Sequence, residues 1–284
     1  MQLALEPDHR SPRSCQVLLS GCGGCWAGGV HRETGLGIEI NLSFRRRGRQ
    51  DGKEIMKYTS ALIVGAGSGL SASLARTFAK AGLKIALAAR STAKLADVAA
   101  VTGASTFACD ATSKSEVDRL FSALDGQSVP DVVVYNASYR TRGSLVDLDP
   151  VEVGKSIAVS AFGGFLVAQA AAQRMLRTGH GAILFTGASA SIKGYAQSAP
   201  FAMGKFALRG LAQSLARELS PRGIHVAHFV IDGGIRSERR PEPAGNPDSM
   251  LDPDAIAETY LNVHNQARSA WTWEVELRPW VEKF

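Results

Sequence analysis

From Met56 onward the chain alternates short apolar runs with longer stretches whose apolar residues recur at helical spacing. That alternation restricts the fold more than any other feature. Runs at 61–64, 84–89, 106–109, 132–135, 182–186, 225–231 and 272–277 read as strands. Helices are predicted between them, over 70–79 (closed by Gly82), 91–100 (capped by Ser91), 115–124, 151–176, 201–219 and 254–265. A strand that is apolar on both faces needs cover on both faces, which right-handed strand–helix–strand units provide around a parallel sheet. The expectation for residues 56–284 is an α/β domain with a single doubly wound parallel sheet of about seven strands and helices on both faces. Such sheets bind ligands beyond the carboxyl ends of their strands. The loops after Val64, Ala89, Cys109, Tyr135, Thr186 and Ile231 are therefore the ones that matter for function.

The chain ahead of Met56 differs in character. Residues 1–55 are rich in Gly and Arg and lack sustained apolar periodicity. They read as a disordered or accessory extension, or as a start-site artefact, with a small hairpin over 37–44 as the alternative. The run Val17-Leu18-Leu19 is too short for a secretory signal, and Glu6 and Asp8 argue against a transit peptide. Cys22 and Cys25 have a zinc-chelating spacing beside Cys15 and His31, but no second pair follows and no metal is expected. The rest of the chain holds one cysteine, Cys109, which suits a reducing, cytoplasmic setting. With 45% hydrophobic residues among 284, the chain has enough apolar material for one sizeable core. No sequence run is long and apolar enough to suggest a membrane span. The net charge of +6 is scattered apart from Arg45-Arg46-Arg47, so neither a nucleic-acid nor a membrane partner is expected.

Gly65-Ala66-Gly67-Ser68-Gly69-Leu70-Ser71 lies between the first strand and the first helix. Glycines in that context allow a tight turn and let backbone N–H groups approach a pyrophosphate at the positive end of the helix. At the end of the second strand, an acidic residue would bind a ribose 2′-hydroxyl. Ala88-Ala89 stand there instead, followed by Arg90-Ser91. A carboxylate repels a 2′-phosphate whereas a guanidinium pairs with it, which favours NADP(H) over NAD(H).

Taken in order, these features resemble the short-chain dehydrogenase/reductase family over about residues 57–232. The family's glycine motif appears as the loop just described. Its Asp after the third strand, which contacts adenine, corresponds to Asp110. Its Asn-Asn-Ala-Gly segment appears as Tyr135-Asn136-Ala137-Ser138, and its Pro-Gly segment as Asp232-Gly233-Gly234-Ile235. The resemblance implies a Rossmann-like fold, an oxidoreductase acting on a small molecule, and a homo-oligomer (dimer or tetramer). It also implies NADP as cofactor. Gly65, Gly67, Ser68, Gly69 and Leu70 would hold its phosphates, with Arg90, Ser91 and Asp110 at the adenosine end and Asn136, Ala137, Lys205 and Ile235 toward the nicotinamide.

The family's catalytic positions are altered. Lys205 matches the family lysine, but the tyrosine four residues before it is Phe201. The family's serine falls on Ala188 and its asparagine on Ser160. Phenylalanine has no proton to give, and an alanine side chain makes no hydrogen bond to a carbonyl. Tyr195 is the leading substitute proton donor, with Tyr139, Arg140, Ser189, Ser191, Asp232 and Arg236 as lesser candidates. The expectation is an NADP(H)-dependent oxidoreductase of unknown substrate with an altered active site. The alternative is a catalytically inactive NADP(H)-binding regulatory or assembly protein.

Overall fold

Seven apolar runs pair into one parallel sheet in the order β3-β2-β1-β4-β5-β6-β7. The computed structural model describes residues 58–282. The expectations placed on residues 1–55, including the extension, the hairpin and the cysteine spacing, lie outside that range. The strands are β1 (Ser60–Val64), β2 (Lys84–Ala89), β3 (Ser105–Ala108), β4 (Val132–Tyr135), β5 (Gly181–Thr186), β6 (Ile224–Ile231) and β7 (Glu274–Leu277). The helices are α1 (Leu70–Lys80), α2 (Ala96–Thr102), α3 (Lys114–Asp125), α4 (Pro150–Ile157), α5 (Gly163–Thr178), α6 (Ala199–Leu219) and α7 (Pro253–His264). Side chains alternate across each strand, so the core divides into two layers. Leu62, Val133, Tyr135 and Phe185 face α3, α5 and α6, while Ile63, Val134, Leu184 and Phe229 face α1 and α7.

Strand order reverses direction at β1, which pairs with both β2 and β4. Val64 and Tyr135 end those two neighbouring strands in register, so the loops that follow them diverge and leave a crevice. The first of these turns requires a glycine. Gly65 has φ +83°, and a Cβ there would lie 2.3 Å from the Ala137 nitrogen. The two loops are also bonded together. Asn136 N–H donates to the Val64 carbonyl at 2.8 Å, and the Asn136 amide donates to Ser71 Oγ at 2.6 Å.

Four local details differ from the sequence expectation. Ser91 does not cap the second helix, because a 3-10 turn at Ala93–Leu95 precedes α2 and neither start uses a side-chain cap. The third strand ends at Ala108, one residue before Cys109, and the last strand starts at Glu274 rather than at residue 272. The block 151–176 is not one regular helix. It loosens to a π turn at Ala158–Phe162, where the Tyr135 hydroxyl donates to the Val159 carbonyl. Gly163 and Gly164 make room for that ring; a Cβ on Gly164 would be 3.3 Å from Tyr135 Cδ1. A hydroxyl inserted into the helical ladder is a known cause of such a bulge. By length and composition the whole segment Pro150–Thr178 passes as a membrane span. Here Leu166, Val167, Ala171 and Met175 pack it into the core instead.

Candidate functional site

Two clefts lie over the carboxyl ends of the strands and share Asn136 and Ser138 at their boundary. One, of about 330 Å³, runs from Gly65 and Gly67 to Arg90, Lys94 and Asp110. The other, of about 440 Å³, runs from Gly69 and Leu70 to Ala188, Tyr195, Phe201, Lys205 and Ile235. Nearly all of the site residues expected from sequence are brought together here. Ser68 and Ser91 lie on the same loops but line neither cleft. A Cβ on Gly67 or Gly69 would meet nothing within 4 Å. Those two glycines therefore leave open space on the cleft floor and are not demanded by internal packing.

Asp110 is held as a carboxylate. Hydrogen bonds from the Thr112 hydroxyl and backbone N–H, at 2.7 and 2.9 Å, keep its pKa below the usual range, and the Arg90 charge adds to this. Lys94, four residues beyond Arg90 on the 3-10 turn, faces the same cleft. It was not read from sequence, because a lysine in a helix-start segment carries no signal until the 3-10 turn sets its direction.

At the other end, α6 delivers Phe201 and Lys205 one turn apart. Lys205 is only 3% exposed, has no counter-ion among the described residues, and donates to the Thr186 carbonyl at 2.7 Å. Burial, and secondarily the Arg140 charge, push its pKa down to about 8. It is still mainly a cation at neutral pH. Phe201, 8% exposed, lies between two charges. The Arg140 guanidinium stacks 4.2 Å above its ring centroid, and the Lys205 ammonium is 5.7 Å from it. Arg140 is positioned by the loop after β4, whose Tyr139 carbonyl accepts the Ser156 hydroxyl at 2.9 Å and whose Tyr139 hydroxyl bonds Glu152.

The substitute proton donors differ in availability. Tyr195 lines the second cleft and is 48% exposed, with the Lys193 ammonium 5.9 Å from its ring centroid. Ser191 accepts from Ala188 N–H at 3.1 Å. Buried Asp232 is paired with Lys193 at 3.3 Å and Arg278 at 3.0 Å. Burial would raise the Asp232 pKa, but hydrogen bonds from Ser189 and Lys193, with the nearby positive charges, take it below the usual carboxylate range. Ser160 sits inside the π turn, fully buried, against Gly204, and its hydroxyl has no hydrogen-bond partner among the described residues. Among those residues no cluster of His, Cys, Asp and Glu suits a metal ion.

The chain has many counterparts among known proteins. Residues 59–242 match a family model described as short chain dehydrogenase. A curated relative, 3-oxoacyl-(acyl-carrier-protein) reductase MabA of Mycobacterium tuberculosis, is 31% identical over 180 residues, covering 63% of this chain and 70% of its own length. A short-chain dehydrogenase from Rhodopseudomonas palustris is 32% identical with TM-score 0.69, covering 79% of this chain and all of its own. A metagenomic short-chain oxidoreductase, crystallised with NADP, is 28% identical with TM-score 0.67, covering 78% of this chain and 97% of its own.

Proposed function

The chain belongs to the short-chain dehydrogenase family, and from that premise we propose that it is an NADP(H)-dependent oxidoreductase with altered proton chemistry, acting on a small-molecule carbonyl or its alcohol. The observation that carries this reading is the pair of abutting clefts, with Arg90 and Lys94 at one end and buried Lys205 at the other. When bound, the cofactor gives or accepts a hydride. The chain's own residues supply the rest. Gly67 and Gly69 leave the space that two phosphates need, and the N-terminus of α1 offers its free N–H groups. Arg90 and Lys94 suit a 2′-phosphate, and β2 ends in Ala88-Ala89 rather than in a carboxylate that would repel it. Lys205 suits the ribose hydroxyls beside the nicotinamide. The metagenomic relative's NADP complex supports the choice of cofactor.

Replacing Arg90 by aspartate should weaken NADPH about 100-fold while leaving NADH within about threefold, since a charge-assisted contact is lost and a repulsion gained. Fluorescence titration of both nucleotides checks this. Unchanged NADPH affinity would remove Arg90 from the account.

Catalysis itself is tested by following NADPH absorbance over a panel of carbonyl and enone compounds. The expected result is slow turnover of at least one member. A non-catalytic NADP(H)-binding role is the second reading, favoured by Phe201, Ala188 and Ser160 at the family's tyrosine, serine and asparagine positions. It predicts tight NADPH binding with no turnover of any member. We also propose a homo-oligomer. Exposed Phe162, Phe165, Met203 and Phe206 on the outer helices support it. The buried free thiol of Cys109 suits a reducing, cytoplasmic compartment.

A further inference from the structure

Among the described residues, the cleft around Phe201 is lined by four cations, Arg140, Lys205, Arg236 and Arg240, and by no carboxylate. Only Arg236 has an ion pair, with Asp252 at 2.7 Å. Arg140, Lys205 and Arg240 have none among the described residues. Solvated surface charge is the ordinary explanation of an arginine, but these are fixed in place. Arg140 is stacked on Phe201. The Arg240 guanidinium packs on the backbone at Gly234, where a Cβ would lie 2.9 Å from its Cζ. The Ser237–Arg240 turn, closed by two backbone hydrogen bonds of 3.0 Å, sets its direction. Burial, then the charges of Arg142 and Arg240, lowers the Arg140 pKa, so Arg140 and Arg240 lie close enough to repel one another. Like charges held together on a concave, partly apolar wall create a positive potential that an anion relieves.

We propose that the substrate is an anionic carbonyl compound, whose carboxylate or phosphate is bound by Arg140 and Arg240 while its apolar body lies on Tyr195, Ile231 and Ile235. This rests on the oxidoreductase reading and deepens it. A guanidinium fork matches either anion with two parallel hydrogen bonds. The anion fixes the carbonyl beside Phe201, where the positive charge of Arg140 and Lys205 offsets negative charge developing on oxygen.

The test has two arms. In the first, oxalate is titrated into the full chain without nucleotide, which probes the cation cluster independently of the cofactor. In the second, protein saturated with NADPH is titrated with two charged and neutral pairs: phenylglyoxylate and its methyl ester, and dihydroxyacetone phosphate and dihydroxyacetone. The charged member of at least one pair should bind about tenfold or more tightly, and which pair discriminates tells carboxylate from phosphate. Arg240→Ala, and Arg140→Met (which keeps packing over the ring), should bring that ratio within about twofold and abolish oxalate binding, with NADPH affinity unchanged within about twofold. NADPH binding without charge discrimination in either pair would overturn the anionic-substrate proposal alone. Oxalate binding without NADPH binding would leave the cation cluster and overturn the cofactor reading. Failure of oxalate to bind would overturn the cluster as an anion site.

Discussion

A Phe201→Tyr variant should reduce carbonyl compounds about 10²–10⁴-fold faster than the wild type, the usual worth of a general acid. The position is prepared for a phenol. It is one helical turn from Lys205 and lies between two cations, which favour the phenolate and so bring its pKa toward neutrality. Without a proton donor, hydride arrival on a carbonyl leaves an alkoxide with no general acid beside it. Steady-state kinetics on any compound the wild type binds will decide. A rise in kcat with little change in KM is expected, because the new hydroxyl acts mainly in the transition state. No gain on any such compound would mean that the missing hydroxyl is not what limits the site.

The second large effect is on stability. Three histidines are buried with incomplete hydrogen bonding. His228 on β6 bonds Glu274 through Nδ1 at 3.1 Å, while its Nε2, against Gly187, has no hydrogen-bond partner among the described residues. His264 on α7 packs 4.2 Å from the Tyr58 ring, and its Nδ1 likewise has no partner among those residues. His225 stacks on Trp271 at 4.6 Å. Burial pushes His228 and His264 down to about 4 and lowers His225 as well. For His228 the pull of Glu274 acts upward but loses to desolvation, helped by the charges of Lys205 and Arg209.

The sign follows directly. Between about pH 6.5 and 4 the unfolded chain binds protons at these sites and the folded chain does not, so stability falls as pH falls. It is fully present above 6.5. Each of His228 and His264 accounts for about 3 kcal/mol over that window. Two such terms rival the total stability of a typical domain, about 5–15 kcal/mol. Denaturant midpoints at a series of pH values should drop steeply below pH 6, and a His264→Phe variant should show a shallower drop by about 3 kcal/mol. A midpoint that stays level from pH 7 to 5 would contradict the assignment.

The sheet was legible because its five inner strands are buried on both faces and read as near-continuous apolar runs, and because Gly65, Gly67 and Gly69 occur between a strand and a helix. What was not legible depends on contacts distant in sequence. The break between α4 and α5 comes from the Tyr135 hydroxyl, which no helical pattern in 151–176 announces. The need for glycine at 187 comes from His228, whose Nε2 would be 2.3 Å from a Cβ there. Phe201 was readable as the residue one turn before Lys205. Its stacking beneath Arg140 was not, since that contact joins the loop after β4 to α6. Arg140 and Arg240 are far apart in the sequence, and only the fold brings both into one cleft.

The most direct test of the whole account is calorimetric titration of the folded chain with NADPH and NADH. One NADPH site tighter than about 10 μM, with NADH at least about tenfold weaker, is the predicted result. No heat with either nucleotide, or NADH bound as tightly as NADPH, would contradict it.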